Sequence, residues 1–127
     1  MGKLTTHVLD TALGRPARGV LVELRRFEEG SEAKEGSKPG APALVFTAAT
    51  NADGRVLPAL LEGAQMRVGR YQITFHLAAY FRSVGLVLSD PPFLDEVVVA
   101  FGIAEADAHY HVPLLASPWS FSTYRGS

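Results

Sequence analysis

The sequence contains no cysteine, only two methionines and a single tryptophan in 127 residues. Without a thiol, disulfide bonds, thiolate catalysis and cysteine-ligated metals are excluded. Neither charge is in excess: 12 basic against 13 acidic side chains leave a formal net charge of −1. That balance offers no electrostatic footprint for nucleic acid or for an anionic membrane. No apolar run approaches the roughly 20 residues of a membrane-spanning helix. The opening MGKLTTHVLD lacks the apolar stretch of a secretory signal. Phosphate-cradling glycine loops, the dinucleotide fingerprint and the G-x-S-x-G elbow are missing as well. The expectation is a soluble, cytoplasmic protein forming one domain over residues 1–127, with neither nucleic acid nor membrane as partner.

What is present is a period of two. In LTTHVLD, Leu4, Thr6, Val8 and Asp10 share one face, and Thr5, His7 and Leu9 share the other. VLVELRRF, LVFTAAT, RYQITFHL and FLDEVVVAFGI also read as strands; in RYQITFHL, Tyr71, Ile73, Phe75 and Leu77 turn inward. Asn51 to Gly54, NADG, is a strong turn signal. AAYFRSVG is the one expected helix, about two turns ended by Gly85. Residues 28–43, EEGSEAKEGSKPGAPA, are too polar and glycine-rich to bury apolar area and read as a surface loop. Seven or eight short strands joined by turns predict an all-β, antiparallel sandwich.

Polar residues that could carry chemistry are few. His109 and His111 lie two apart in HYHVPLLA, so both project from one strand face, together with Pro113 and Leu115. Such a pair is either a solvent-facing surface or half of a metal site, with His7 as a third ligand and His76 as a poorer fourth. His7 sits mid-strand between Thr5 and Leu9, and Arg55 follows the NADG turn; each alone reads as an ordinary structural or exposed residue. Asp90, Asp95 and Glu96 near Pro91 and Pro92 read as loop charges.

Taken together, LTTHVLDTALGRPA, NADGR and HYHVPLLASPWSFSTYRGS resemble the 5-hydroxyisourate hydrolases, the transthyretin-related proteins. The resemblance covers essentially the whole chain. It implies a transthyretin-like sandwich of two four-stranded sheets with one short helix. It also implies a homotetramer whose active sites lie at the dimer–dimer interface. In that fold the first strand lies beside the HYHVPLL strand, which pairs in turn with the last strand.

The catalytic residues implied are His7, Arg55 and His111, with Tyr124, Arg125, Gly126 and Ser127 lining the site and binding substrate. The implied reaction is hydrolysis of 5-hydroxyisourate to 2-oxo-4-hydroxy-4-carboxy-5-ureidoimidazoline in urate degradation, with no cofactor and no metal. Histidine suits deprotonation of water near neutral pH, and arginine suits stabilisation of the oxyanion. The chain departs from the family pattern at Val56, where cysteine is common, in the longer 28–43 loop, and at Trp119 and Phe121. The alternatives are a non-catalytic transthyretin-like carrier and a metal-binding module built on His7, His109 and His111.

Overall fold

The computed structural model describes residues 1–28 and 41–126. Most of the sequence-predicted loop, and Ser127, therefore lie outside the described residues. In chain order the strand segments are β1 (Lys3–Thr5), β2 (Val8–Asp10), β3 (Arg15–Pro16), β4 (Leu21–Arg26), β5 (Ala43–Ala49) and β6 (Leu61–Glu62). They continue with β7 (Gly69–His76), helix α1 (Leu77–Ser83), β8 (Glu96–Ile103), β9 (His109–His111), β10 (Leu114–Ala116) and β11 (Phe121–Thr123).

One layer is a regular antiparallel sheet in the order β5-β4-β7-β8. Its β7–β8 ladder runs unbroken from Gly69↔Ile103 to His76↔Glu96. The other layer comprises two pieces, β6-β1-β9 and β11-β10-β2-β3. The chain runs directly from β1 to β2 and from β9 to β10, so the pieces continue one another. Counted that way, the second layer also has four strands, with the two-residue β3 added at its edge.

The antiparallel expectation fails at one place: β1 pairs with β9 in parallel, and β2 with β10 in parallel. These strands are far apart in sequence, so no tight hairpin imposes an antiparallel direction on them. LTTHVLD and HYHVPLLA, each expected as one strand, are interrupted at Thr6–His7 and at Val112–Pro113.

Pro113 accounts for the second break. The register Leu114↔Thr123 runs on to His111↔Gly126, which places Pro113 opposite Tyr124. A proline has no N–H to give to Tyr124, so regular pairing stops after Thr123. The Thr123 hydroxyl donates to the Pro113 carbonyl instead, at 2.7 Å.

The core lies between the layers. Leu4 and Val8 from one side pack in a single cluster with Val22, Leu24, Ile73 and Phe75 from the other. Full burial of such side chains is worth about 1.5–3 kcal/mol each, and this fixes the strand register. A slip of one residue would bury Thr5 and His7 and expose Leu4 and Val8. The outward direction of Thr5 and His7 is thus set by the apolar residues around them. Buried Thr6 is tolerated in the core because its hydroxyl donates to the Val112 carbonyl at 2.7 Å.

Helix α1 packs Leu77, Ala78, Tyr80 and Phe81 inward and ends near Gly85 at φ +92°. The Tyr80 hydroxyl donates to Asp10 Oδ2 at 2.7 Å, tying the helix to β2. Asp10 Oδ1 also accepts the N–H groups of Ala12 and Leu13 at 2.9 Å. Buried Asp10 is therefore fully engaged in holding the turn after β2.

Candidate active site

The NADG turn builds the first wall of the site. Asn51 Oδ1 accepts the N–H groups of Asp53 and Arg55, at 2.9 and 3.1 Å. Gly54 closes the turn at φ +76°, and a Cβ there would fall 2.4 Å from the Val8 carbonyl oxygen. No other residue fits. The turn then docks on the first strand: Val8 N–H donates to the Gly54 carbonyl at 2.8 Å, and His7 and Arg55 form an antiparallel bridge.

This docking orients His7. Its Nε2 lies 2.8 Å from the Asp53 carbonyl oxygen. A carbonyl only accepts, so Nε2 carries the proton and the lone pair of the neutral ring sits on Nδ1. Among the described residues, no carboxylate pairs with the exposed Arg55.

The parallel ladder builds the second wall. The pairs Lys3↔His109 and Thr5↔His111 put these four residues on one outward face. The Thr5 hydroxyl lies 2.9 Å from His109 Nε2 and 2.8 Å from His111 Nδ1. His111 Nε2 is left without a partner among the described residues.

Burial, then the positive charge of Arg55 and the neighbouring His109 and His7, hold the His111 imidazole below its usual pKa. His111 is therefore neutral at pH 7, and a neutral imidazole with a free nitrogen can take a proton. A cavity of about 380 Å³ opens onto these groups, walled by Lys3, Thr5, Arg55, His109 and His111 with Leu57 and Pro58.

The terminal residues are distributed over two places. Gly126 returns to the site: its N–H donates to the His111 carbonyl at 2.7 Å. A Cβ on Gly126 would lie 2.8 Å from His111 Cδ2, so the tail seats against the imidazole only because it has no side chain there. The Arg125 guanidinium instead lies over the Tyr110 ring, 4.2 Å from its centroid. Arg125 and exposed Tyr124 line a separate cavity of about 260 Å³ with Phe101 and Tyr110.

Within this chain, then, His7, Arg55, His111 and Gly126 come together, while Tyr124 and Arg125 face elsewhere. His7 borders the larger cavity through Arg55 but is not part of its wall. Lys3 and Thr5 line it without having been singled out in the sequence; parity placed Thr5 on the His7 face, but a hydroxyl carries no signal of its own. His76 lies on the other sheet, between Glu23 and Glu96. Among the described residues, no group of three or more His, Asp or Glu side chains is placed to hold a metal ion.

The sequence profile of the HIUase/Transthyretin family matches residues 4–126. The chain belongs to the HIUase/Transthyretin family. It is 54% identical over 126 residues to 5-hydroxyisourate hydrolase 2 of Rhizobium meliloti, covering 99% of this chain and 97% of that one. The solved structure of Klebsiella pneumoniae 5-hydroxyisourate hydrolase matches with TM-score 0.74 and 35% identity, over 100% of both chains. A crystal structure of (S)-allantoin synthase matches with TM-score 0.85 and 47% identity, over 99% of this chain; the chain spans only 44% of that longer protein. This family membership agrees with the all-β sandwich and with the resemblance carried by the terminal blocks. No helix among the described residues is long and apolar enough to cross a membrane.

Proposed function

We propose that this chain is a 5-hydroxyisourate hydrolase, opening the six-membered ring to give 2-oxo-4-hydroxy-4-carboxy-5-ureidoimidazoline. The observation that carries the reading is His111, whose Nε2 has no partner among the described residues, in a cavity it shares with the Arg55 guanidinium. His111 takes a proton from water, and the hydroxide attacks the ring carbonyl. Arg55 stabilises the oxyanion that forms. The C–N bond then breaks, the ring nitrogen takes up the proton held by His111, and the former carbonyl carbon stays in the product as a carboxyl group that ionises to a carboxylate by releasing its proton to solvent. Lys3 and Arg55 give the cavity the positive lining that suits this carboxylate product. His7 steadies the Arg55 turn and offers Nδ1 as a further proton site.

Residues 1–127 act as one domain in this reading, and the enzyme works without metal or cofactor, in the cytoplasm, on the product of urate oxidation. Four copies assemble with the cavities at the interface between dimers. Leu57 beside the cavity, Trp119 at 70% exposure and Phe121 at 44% supply apolar surface for such an assembly. Across that interface Tyr124 and Arg125 reach substrate, and Ser127 is the further substrate-binding residue of this reading. A carrier of apolar ligands is disfavoured by the arginine and two histidines that face the cavity beside Leu57 and Pro58.

The test is the decay of freshly generated 5-hydroxyisourate, followed by absorbance with urate and urate oxidase as source. Decay much faster than in buffer, with the ureidoimidazoline as product, is expected. Decay at the buffer rate would refute the hydrolase reading.

A further inference from the structure

The Thr5 hydroxyl has one hydrogen and two histidine nitrogens to satisfy. It can donate to only one of them, so at least one ring brings its own N–H; where the Thr5 hydrogen lies between the rings, it donates to one and accepts from the other, and the tautomers of His109 and His111 are coupled. The choice between the two settings follows from the hydrolase reading, on which this inference rests. For His111 to accept a proton at Nε2, its neutral ring must carry hydrogen on Nδ1. Nδ1–H then donates to Thr5 Oγ1, and the Thr5 O–H donates to His109 Nε2. His109 in turn carries its own hydrogen on Nδ1.

We infer that Thr5 and His109 form a proton relay behind His111, with Thr5 as its positioning residue and His109 as the holder of the proton until it returns through Thr5 to His111 for delivery to the ring nitrogen. The transfer balances atom by atom. Water gives a proton to His111 Nε2; the Nδ1 hydrogen moves to Thr5 Oγ1; the original Thr5 hydrogen moves to His109 Nε2. The relay ends with neutral His111, now protonated on Nε2, an intact threonine hydroxyl, and a His109 imidazolium. Every hydrogen bond survives with its direction reversed: the hydroxyl donates to His111 Nδ1, and His109 Nε2–H donates to the hydroxyl.

Three features of the site favour the transfer. The same burial and Arg55 charge that keep His111 neutral oppose leaving an imidazolium there. The register Thr5↔His111 and Lys3↔His109 fixes all three groups on adjacent rigid strands. The two rings stand edge to face, with centroids 6.4 Å apart, leaving the hydroxyl as the link between them.

The test uses histidine-labelled protein and long-range proton–nitrogen NMR, which reads ring tautomers without substrate. His111 is expected as the Nδ1–H form in the wild type and in Thr5→Ser, with that preference lost in Thr5→Val. In the decay assay, Thr5→Val should lower kcat about 10- to 100-fold with KM nearly unchanged, while Thr5→Ser stays close to wild type. His109→Gln can still accept the Thr5 hydrogen bond but cannot carry the proton. It should keep the His111 tautomer and yet lose about tenfold in kcat.

A wild-type His111 protonated on Nε2 overturns the proposal, as does full kcat in either Thr5→Val or His109→Gln. A wild type inactive on 5-hydroxyisourate would instead remove the hydrolase reading, and the tautomer would still decide whether the hydroxyl locks the two rings as described.

Discussion

His76 and His111 occupy outward faces of the two sheets and meet opposite surroundings. His76 Nε2 lies 2.5 Å from Glu23 Oε1 and its Nδ1 lies 3.5 Å from Glu96 Oε1, so each ring nitrogen faces a carboxylate. His111 has a hydroxyl on Nδ1, a guanidinium nearby, and nothing among the described residues on Nε2. A ring with both nitrogens held by carboxylates is part of the scaffold. A ring with a free nitrogen, kept neutral by burial and neighbouring positive charge, is equipped for proton transfer. The backbones differ in the same sense. His76 ends an unbroken ladder, whereas His111 stands beside Pro113, where the ladder is interrupted and the tail can approach.

The largest effect that would sharpen this contrast belongs to Arg55. Replacing it in Arg55→Met should lower kcat/KM on the order of 100- to 1,000-fold through the lost oxyanion partner. Removing its charge also removes a penalty on protonated His111, so the His111 titration should move to higher pH, read by NMR. An unmoved His111 titration would break the electrostatic half of the comparison.

Next comes Gly126→Ala, whose Cβ would crowd the His111 ring at 2.8 Å from Cδ2. It should cost roughly tenfold in kcat through misplacement of the imidazole, with thermal stability close to wild type.

A purely structural change should reverse that pattern. Tyr80→Phe removes one of three hydrogen-bond donors from buried Asp10, and denaturant unfolding should report a loss of about 1–2 kcal/mol with activity intact. The same contact is visible from the tyrosine side: burial first, then the bond to Asp10, pushes the Tyr80 pKa up to about 12.

The smallest effect is at the His76 cluster. The bonds to His76 and then Arg25 lower the Glu23 pKa, so its stabilising contribution is present at neutral pH. That contribution is lost as pH falls below the ordinary carboxyl value of 4.5 and through the lower folded one. Glu23→Gln should therefore be slightly less stable than wild type at pH 7, and the gap should close in acid, as followed by thermal melts.

Local chemistry made several of these features legible in the sequence. Alternation in LTTHVLD put Thr5 and His7 on one face, opposite Leu4 and Val8, NADG announced the turn that presents Arg55, and Gly85 marked the end of the helix. What stayed hidden depends on partners distant in the chain. The resemblance implied that the first strand lies beside HYHVPLL, as β1 does beside β9, but the parallel register that brings Thr5 between two histidines more than a hundred residues away is encoded by no local pattern. Glu96, expected as a loop charge, lies in β8 because its ladder partner is His76. Pro113 was placed by parity on the face of His109 and His111, but its consequence for Tyr124 follows only from the register with the last strand.

The most direct measurement compares 5-hydroxyisourate decay by the wild type with His111→Ala and His76→Ala at equal concentration of folded protein. A loss on the order of 100- to 10,000-fold is expected for His111→Ala and a rate within about threefold of wild type for His76→Ala. Equal rates for all three proteins would contradict it, as would a His76→Ala variant impaired as deeply as His111→Ala.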